Sequence, residues 1–329
     1  MIDNMRVLIV ASYNMGYFMA FIPEQAAALE RQGCEVKLFG ITGRGIKGYI
    51  KELPRLRREI HEWKPDVIHA HFGLSCLFAN MATRKVPVVS TYHGSDIHLP
   101  KLRFLSRIAM RLSAWNIFVS GNTMKQMSES LRKKHCSLVP CGIDLSEEQL
   151  MTREEARKAL GWRAESQEPR VKRYVLFAGR YDDSIKDPEL AKQAIEELRA
   201  KSEEVKVELI ELKGYTRSEV NRLMCAVNCM LLTSKAEASP QVVKEAMACG
   251  CPIVSLDVGD VAERMGGVSG CFVVKSREPR DIAEALKKAI AFEGKTNGRE
   301  KILEYGLTNE QVAQKIIDIY RSICIDSKK

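Results

Sequence analysis

Glu237 and Glu245 stand eight residues apart in Glu237-Ala-Ser-Pro-Gln-Val-Val-Lys-Glu245-Ala-Met-Ala-Cys-Gly250-Cys-Pro252. Pro240 suits the first turn of a short helix, and Gly250 with Pro252 supplies its stop. One carboxylate then precedes the helix and the other rides on it, so both can point at one ligand. Backbone N–H groups at the helix start lie between them, ready to meet an anion. Carboxylates accept hydrogen bonds from sugar or ribose hydroxyls while N–H groups take a phosphate, which is what a sugar nucleotide needs. An arbitrary pair of Glu is more often a pair of solvated helix charges, so the context of the pair has to decide.

Two further segments carry groups of the right kind. Phe177-Ala-Gly-Arg180 ends an apolar run, and Lys186-Asp-Pro188 follows before a helical pattern. Cations six residues apart at a strand's carboxyl end can clamp a pyrophosphate, each charge-assisted hydrogen bond contributing about 1.5–3 kcal/mol. Seen alone, they read equally well as surface cations in a helix-capping loop. In Thr91-Tyr-His93-Gly-Ser-Asp96, His93 titrates near neutrality and can donate to a sugar hydroxyl or phosphate, and Gly94 lets backbone approach a ligand closely. A lone His is more often structural. His69 and His71 share one face of a strand, but no third metal ligand accompanies them.

The stretch from Glu237 to Pro252, with Asp257-Val-Gly-Asp260 after it, resembles the donor-binding signature of retaining glycosyltransferases of the group 1 type (family four), which adopt the GT-B fold. Within that family it looks most like members of surface-polysaccharide and teichuronic-acid clusters, although an aromatic residue often stands where this chain has Ser239. The resemblance implies that Glu245 holds the nucleotide ribose and Glu237 the donor sugar, with Ser239, Pro240, Gln241 and Val242 beside the donor. It also makes Arg180 and Lys186 phosphate ligands that stabilise the leaving diphosphate, and sets His93 near the reacting carbon. Tyr13-Asn14-Met15-Gly16 corresponds to a glycine-rich loop near phosphate, with Gly16 its one glycine. Asp66-Val-Ile-His-Ala-His71 resembles a fold-structural segment, and Pro140-Cys-Gly142-Ile-Asp144 an element that closes the first domain. The implied donor is a UDP- or GDP-linked sugar and the acceptor a hydroxyl of a lipid-linked or polysaccharide intermediate. Configuration is retained, and neither metal nor another cofactor is required. A GT-B sugar-nucleotide epimerase and a non-catalytic nucleotide-binding partner are the alternatives.

Apolar runs that would position these residues recur at 7–10, 35–39, 66–71, 86–91, 116–119 and 137–139, then at 174–178, 205–210, 229–233, 252–256 and 271–274, with helical patterns between them. Unbroken apolar strands alternating with helices predict parallel sheets covered on both faces. Two such series predict two Rossmann-like α/β domains facing across a cleft, 1–150 on the acceptor side and 151–329 binding the nucleotide sugar. The charged stretch 146–173 is the linker, with one short helix near 153–160, and the last helix is free to pack back on the first domain. Gly43-Arg-Gly45-Ile-Lys-Gly48 matches a dinucleotide fingerprint and has Asp66 about 20 residues on. It follows the second strand rather than the first, it is basic, and Asp66 opens a strand instead of ending one, so nicotinamide binding is disfavoured.

The 329 residues suffice for two cores, and no apolar run approaches the roughly 20 residues of a membrane-spanning helix. The start of the chain leads into a strand with no signal-peptide pattern, and ten scattered cysteines without a paired CxxC suggest reduced thiols and a cytoplasmic setting. Net charge is +9, of which residues 1–150 carry +7 (20 Lys+Arg against 13 Asp+Glu). No nucleic-acid-binding signature accompanies that charge. Within 100–114, Leu102, Leu105, Ile108, Ala109 and Leu112 fall at helical spacing, with Arg103, Arg107 and Arg111 at every fourth position. Such a helix either packs on the sheet as an ordinary surface element or lies peripherally on an anionic inner membrane face.

Overall fold

The computed structural model describes residues 4–132, 135–162, 172–200 and 206–326. The chain forms two compact units, one of Met1–Asp144 with Leu307–Lys329 and one of Leu145–Gly306. The first is built on a six-stranded parallel sheet in the order β2-β1-β3-β4-β5-β6, with strands β1 Arg6–Ser12, β2 Glu35–Ile41, β3 Val67–His71, β4 Val88–Tyr92, β5 Trp115–Phe118 and β6 Cys136–Leu138. Helices α1 (Phe21–Arg31), α2 (Gly45–Trp63), α3 (Gly73–Ala82), α4 (Ser95–His98), α5 (Pro100–Leu112), α6 (Gly121–Lys125) and α7 (Glu129–Arg132) connect them. The unbroken apolar strands have a simple cause. On β1, Leu8 and Val10 join a core with Leu53 of α2 and Phe78 of α3, while Val7 and Ile9 join another with Leu29 of α1. Successive side chains point to opposite faces, and both faces are covered.

The second core of this unit includes the far end of the chain. Ile316, Ile317, Tyr320 and Ile323 of the last helix, α15 (Asn309–Asp326), pack with Val7, Ile9 and Val89. An isolated bridge between Ile143 and Thr308 ties the returning chain beside the end of the first segment. Gly142 is needed there, because a Cβ would lie 2.5 Å from Asn309 Oδ1.

The second unit holds a five-stranded parallel sheet, β11-β10-β9-β7-β8, with β7 Lys172–Phe177, β8 Lys206–Glu211, β9 Cys229–Leu232, β10 Ile253–Leu256 and β11 Phe272–Val274. A 3-10 turn at Glu147–Leu150 and helix α8 (Arg153–Ala159) precede it; α9 (Pro188–Ala200), α10 (Arg217–Ala226), α11 (Gln241–Ala248), α12 (Val261–Arg264), α13 (Pro279–Ile290) and α14 (Gly298–Glu304) complete it. Val205, the first residue of the expected 205–210 strand, and 163–171 of the expected linker lie outside the described residues. Strand order reverses direction between β7 and β9, and in the first unit between β1 and β3. Such switch points open a crevice at the carboxyl ends of the strands.

Candidate functional site

The β7/β9 switch point gathers the charged residues of the second unit. After β7 the chain turns at Gly179, whose missing side chain leaves room for the Lys186 stem, since a Cβ there would meet Lys186 Cγ at 2.6 Å. Asp187 adopts φ 53°, and its carboxylate receives Arg277 Nη2 at 2.6 Å. Thr233 Oγ1, just beyond β9, donates to the carbonyls of Lys186 and Asp187, each at 2.9 Å. So clamped, Lys186 directs Nζ to Glu237 Oε1 at 2.6 Å, and Ser234 Oγ donates to the same oxygen at 2.9 Å. This ion pair is mostly buried, with side-chain exposures of 23% and 17%. Arg180 is not part of it: the guanidinium is exposed and its Nε bonds Asp182 Oδ1 at 2.8 Å, which raises its pKa further.

Four residues on, α11 begins. Pro240 is its N-cap, one position earlier than the first-turn place expected for it, and Gln241 is the first helical residue. Ser239 Oγ is buried there without a hydrogen-bond partner among the described residues, a notable state for a hydroxyl beside a helix start. Val242 is half-buried, and Glu245, one turn in, is buried and paired with Arg217 Nη1. The loop after β10 closes on this segment. Gly259 takes φ +61°, and a Cβ on it would lie 2.6 Å from the Ala238 carbonyl oxygen. Within this unit, then, Lys186, Glu237, Ser239 and Glu245 are brought to the carboxyl end of one sheet.

In the first unit the chemistry-bearing groups are histidines. His93 follows β4, and its ring lies between Phe21 and Phe72 at centroid distances of 4.6 and 4.4 Å. The backbone N–H of His93 donates to Asp96 Oδ1 at 3.1 Å, and those of Gly94 and Gly73 donate to the same carboxylate at 2.8 and 3.0 Å. Burial nevertheless pushes Asp96 up to about 6, against those hydrogen bonds. Asp96 thus organises the turn that presents His93. His69 and His71 are fully buried on β3, and burial holds both below the ordinary imidazole range. Among the described residues no group of three or more His, Cys, Asp or Glu is arranged to hold a metal ion. Gly16 sits at φ +80° in a turn after β1, with open space where a Cβ would be.

The glycines of the dinucleotide-like stretch face one another rather than a ligand: a Cβ on Gly43 would lie 2.4 Å from the Gly48 backbone. They open α2 by close packing of the loop on itself. Asp66 caps the start of β3 by accepting from the Arg6 backbone N–H at 2.8 Å.

Helix α5 turns Leu105, Ile108 and Ala109 of its apolar pattern inward but not Leu112. Ser106, Ala109 and Met110 are its buried residues, with Leu105 and Ile108 against the core, while Leu112 is exposed and Phe104 is 66% exposed. The inward face is set by a close crossing with α3, where a Cβ on Gly73 would strike Ser106 Oγ. Small side chains, not the leucine row, make that contact. No helix among the described residues is long and apolar enough to cross a membrane.

Sequence reasoning missed Arg217, Ser234, Thr233 and Arg277. Arg217 opens α10 inside the Thr216–Glu219 capping box, and nothing in local spacing joins it to Glu245, 28 residues away. The others act through strand-end geometry that a linear pattern does not carry.

Residues 23–147 match the model of glycosyltransferase family 4, and residues 153–291 match that of the group 1 glycosyl transferases. A Bacillus subtilis protein named for teichuronic acid biosynthesis, the glycosyltransferase TuaC, is 29% identical over 247 residues, 68% of this chain and 61% of that protein. The D-inositol 3-phosphate glycosyltransferase of Mycobacterium marinum is 26% identical over 250 residues, 63% of this chain and 52% of that one. The chain thus spans between about half and two thirds of the length of these relatives. Among solved structures, sucrose-phosphate synthase from Thermosynechococcus elongatus superposes with a TM-score of 0.75 at 15% identity, covering 97% of this chain and 98% of that one. HepE of Anabaena in complex with UDP superposes with a TM-score of 0.68 at 16% identity, covering 97% and 100%. Both likenesses are of fold, and the fold is GT-B.

Proposed function

Because the chain belongs to the group 1 glycosyltransferases, we propose that it moves a sugar from a nucleoside diphosphate sugar to a hydroxyl acceptor, with retention of anomeric configuration and without a metal ion. The observation that carries this reading is the Lys186–Glu237 pair, 2.6 Å apart at the switch point of the second sheet, beside the buried hydroxyl of Ser239 at the start of α11, which has no hydrogen-bond partner among the described residues. A diphosphate offers Lys186 a second anion in competition with Glu237. Lys186, with Arg180, then stabilises the charge that grows on the leaving group, work done elsewhere by a divalent cation. Glu237, relieved of part of its ion pair, accepts from the donor sugar's hydroxyls. Ser239, Gln241 and Val242 line the donor at the helix start, and backbone N–H groups there meet phosphate. Glu245, oriented by Arg217, accepts from the ribose. His93 of the first unit is assigned to the reacting sugar, and Gly16 to the phosphate side.

The acceptor oxygen bonds to the anomeric carbon on the face from which the diphosphate departs, and the departing oxygen takes the acceptor's proton. Support for UDP as the nucleotide comes from HepE, a structural relative crystallised with UDP and with UDP-glucose. The acceptor class proposed is a lipid-linked or polysaccharide intermediate, in keeping with the relative named for teichuronic acid biosynthesis. A peripheral membrane setting is proposed through α5, where Leu99 and Phe104 are exposed beside Lys101, Arg103 and Arg107.

The test is thermal shift against UDP, GDP, ADP, CMP and NAD, followed by a product assay with the sugar nucleotides of the base that binds. A ligand at a hundred times its Kd stabilises by roughly 2.7 kcal/mol. Stabilisation by UDP or GDP with transfer to a hydroxyl acceptor is the expected result. An epimerised sugar nucleotide, or binding without turnover, would replace the reading, and stabilisation by NAD alone would overturn it.

A further inference from the structure

Strand β3 buries two imidazoles where aliphatic side chains would pack as well, and the two are not served alike. His69 is matched at both nitrogens: Nδ1 lies 2.6 Å from the Tyr320 hydroxyl and Nε2 lies 2.7 Å from the Thr91 hydroxyl. His71, stacked on His69 with centroids 4.5 Å apart, is matched at one. Its Nδ1 lies 3.0 Å from His93 Nε2, while its own Nε2 is buried without a partner among the described residues. Burial holds His71 down to about 3, so the ring is neutral and carries a single proton. A buried N–H without an acceptor is the rarer defect in proteins, so the bare nitrogen is Nε2 and the proton sits on Nδ1. His71 therefore donates, and His93 Nε2 accepts. That leaves the proton of His93 on Nδ1, which faces Cys141 Sγ at 3.7 Å. Sulfur is a weak acceptor, and an oxygen competes with it readily.

We propose that His71 is a positioning residue that fixes His93 as its Nδ1–H tautomer, so that the ring presents a hydrogen-bond donor, not a lone pair, to an oxygen of the bound sugar. The tautomer stands independently of the transferase reading; only the identity of the oxygen that meets it rests on that reading. On this account His93 orients and polarises, and does not remove the acceptor's proton. Asp96 fixes its backbone from one side, Phe21 and Phe72 hold the ring faces, and His71 sets its edge.

Long-range proton–nitrogen correlation spectra of the full chain, labelled with nitrogen-15 histidine, test this directly. Both His71 and His93 should show a protonated Nδ1 and a bare Nε2. His71→Asn places an amide N–H where Nδ1–H was and should preserve the His93 pattern. His71→Gln places its donor one bond farther out and should lose that pattern. In transfer assays His71→Asn should stay within about twofold of wild type, while His71→Gln should lose about tenfold in kcat at unchanged KM for the donor. A wild-type His71 protonated at Nε2 overturns the proposal without any variant having to fold. So does a His93 pattern untouched by His71→Gln. Expected spectra with no transfer from any donor would instead count against the transferase reading and leave the tautomer assignment in place.

Discussion

Glu237 Oε1 receives two donors at once, Lys186 Nζ at 2.6 Å and Ser234 Oγ at 2.9 Å. Replacing Glu237 by Gln removes the charge but keeps an acceptor, and it frees the lysine for phosphate. Turnover should fall at least about tenfold while UDP still raises the melting temperature; a wild-type rate would remove Glu237 from the donor site. Glu245→Ala should instead abolish the UDP-induced shift, because the ribose loses its acceptor and Arg217 its partner. The buried titrating groups make a prediction about pH. His69 is held below its ordinary value of 6.5 by burial first, and His71 is held at about 3. As pH falls below 6.5 the unfolded chain protonates both rings and the folded chain resists, so their contribution to stability is lost with acid. Asp96, raised from 3.8 to about 6, works the other way, because the folded form holds a proton there that the unfolded form has released. The unfolding free energy measured in urea should therefore fall from pH 7 to pH 5, and His71→Asn should flatten that slope by up to about 1.4 kcal/mol per pH unit, one proton's worth. An unchanged slope would mean that His71 is not buried neutral. The placement of the two carboxylates and Lys186 at the carboxyl end of the sheet was legible because residue type and strand-end position are written in the chain. Arg217 was not, because its pairing is made by the sheet order that sets α10 beside α11.

At the scale of elements, legibility follows the period of the pattern. Among the described residues, the eleven strands lie where the apolar runs predict them; β1, β3, β4, β9 and β10 are unbroken because both their faces are buried, while the edge strands β2 and β8 alternate. The face of α5 was legible in Leu105, Ile108 and Ala109 but not in Leu112, which is exposed, because the closest contact is made through Gly73 and Ser106, and small residues leave no mark in a hydrophobic count. That correction sharpens the membrane prediction. With Phe104 outward among arginines, the protein should pellet with vesicles containing phosphatidylglycerol and be released by salt, and Phe104→Ser should weaken the pelleting. Absence of pelleting at any salt concentration would dismiss the contact. The loop after β10 makes a second prediction. Gly259 combines φ +61° with backbone 2.6 Å from a would-be Cβ, so Gly259→Ala should cost about 1–3 kcal/mol. Because that backbone belongs to Ala238, next to Glu237, the variant should also weaken UDP binding in the same thermal assay.

Across the whole molecule, the chain leaves the first unit at Asp144, completes the second, and comes back at Leu307 to finish the first. The returning helix contributes Ile316, Tyr320 and Ile323 to a sheet whose strands were made long before, and Tyr320 bonds His69 directly. Tyr320→Phe should lower the unfolding free energy in urea by about 1–2 kcal/mol, as His69 loses a buried hydrogen bond; unchanged stability would show that Gln25, 3.3 Å from the same nitrogen, takes over. The return of the chain also matters before the protein is ever assayed. On the ribosome, 163 residues lie between Leu145 and Asn309, the first residue of α15. At usual elongation rates that is roughly ten to thirty seconds during which one face of the first sheet is covered by α1 alone. The part made later can finish first, while the part made earlier waits with the core around Val7, Ile9 and Val89 closed on the α1 side only. Nascent chains of this protein should therefore call on holding chaperones between the emergence of Leu145 and that of α15, and release them once α15 has docked.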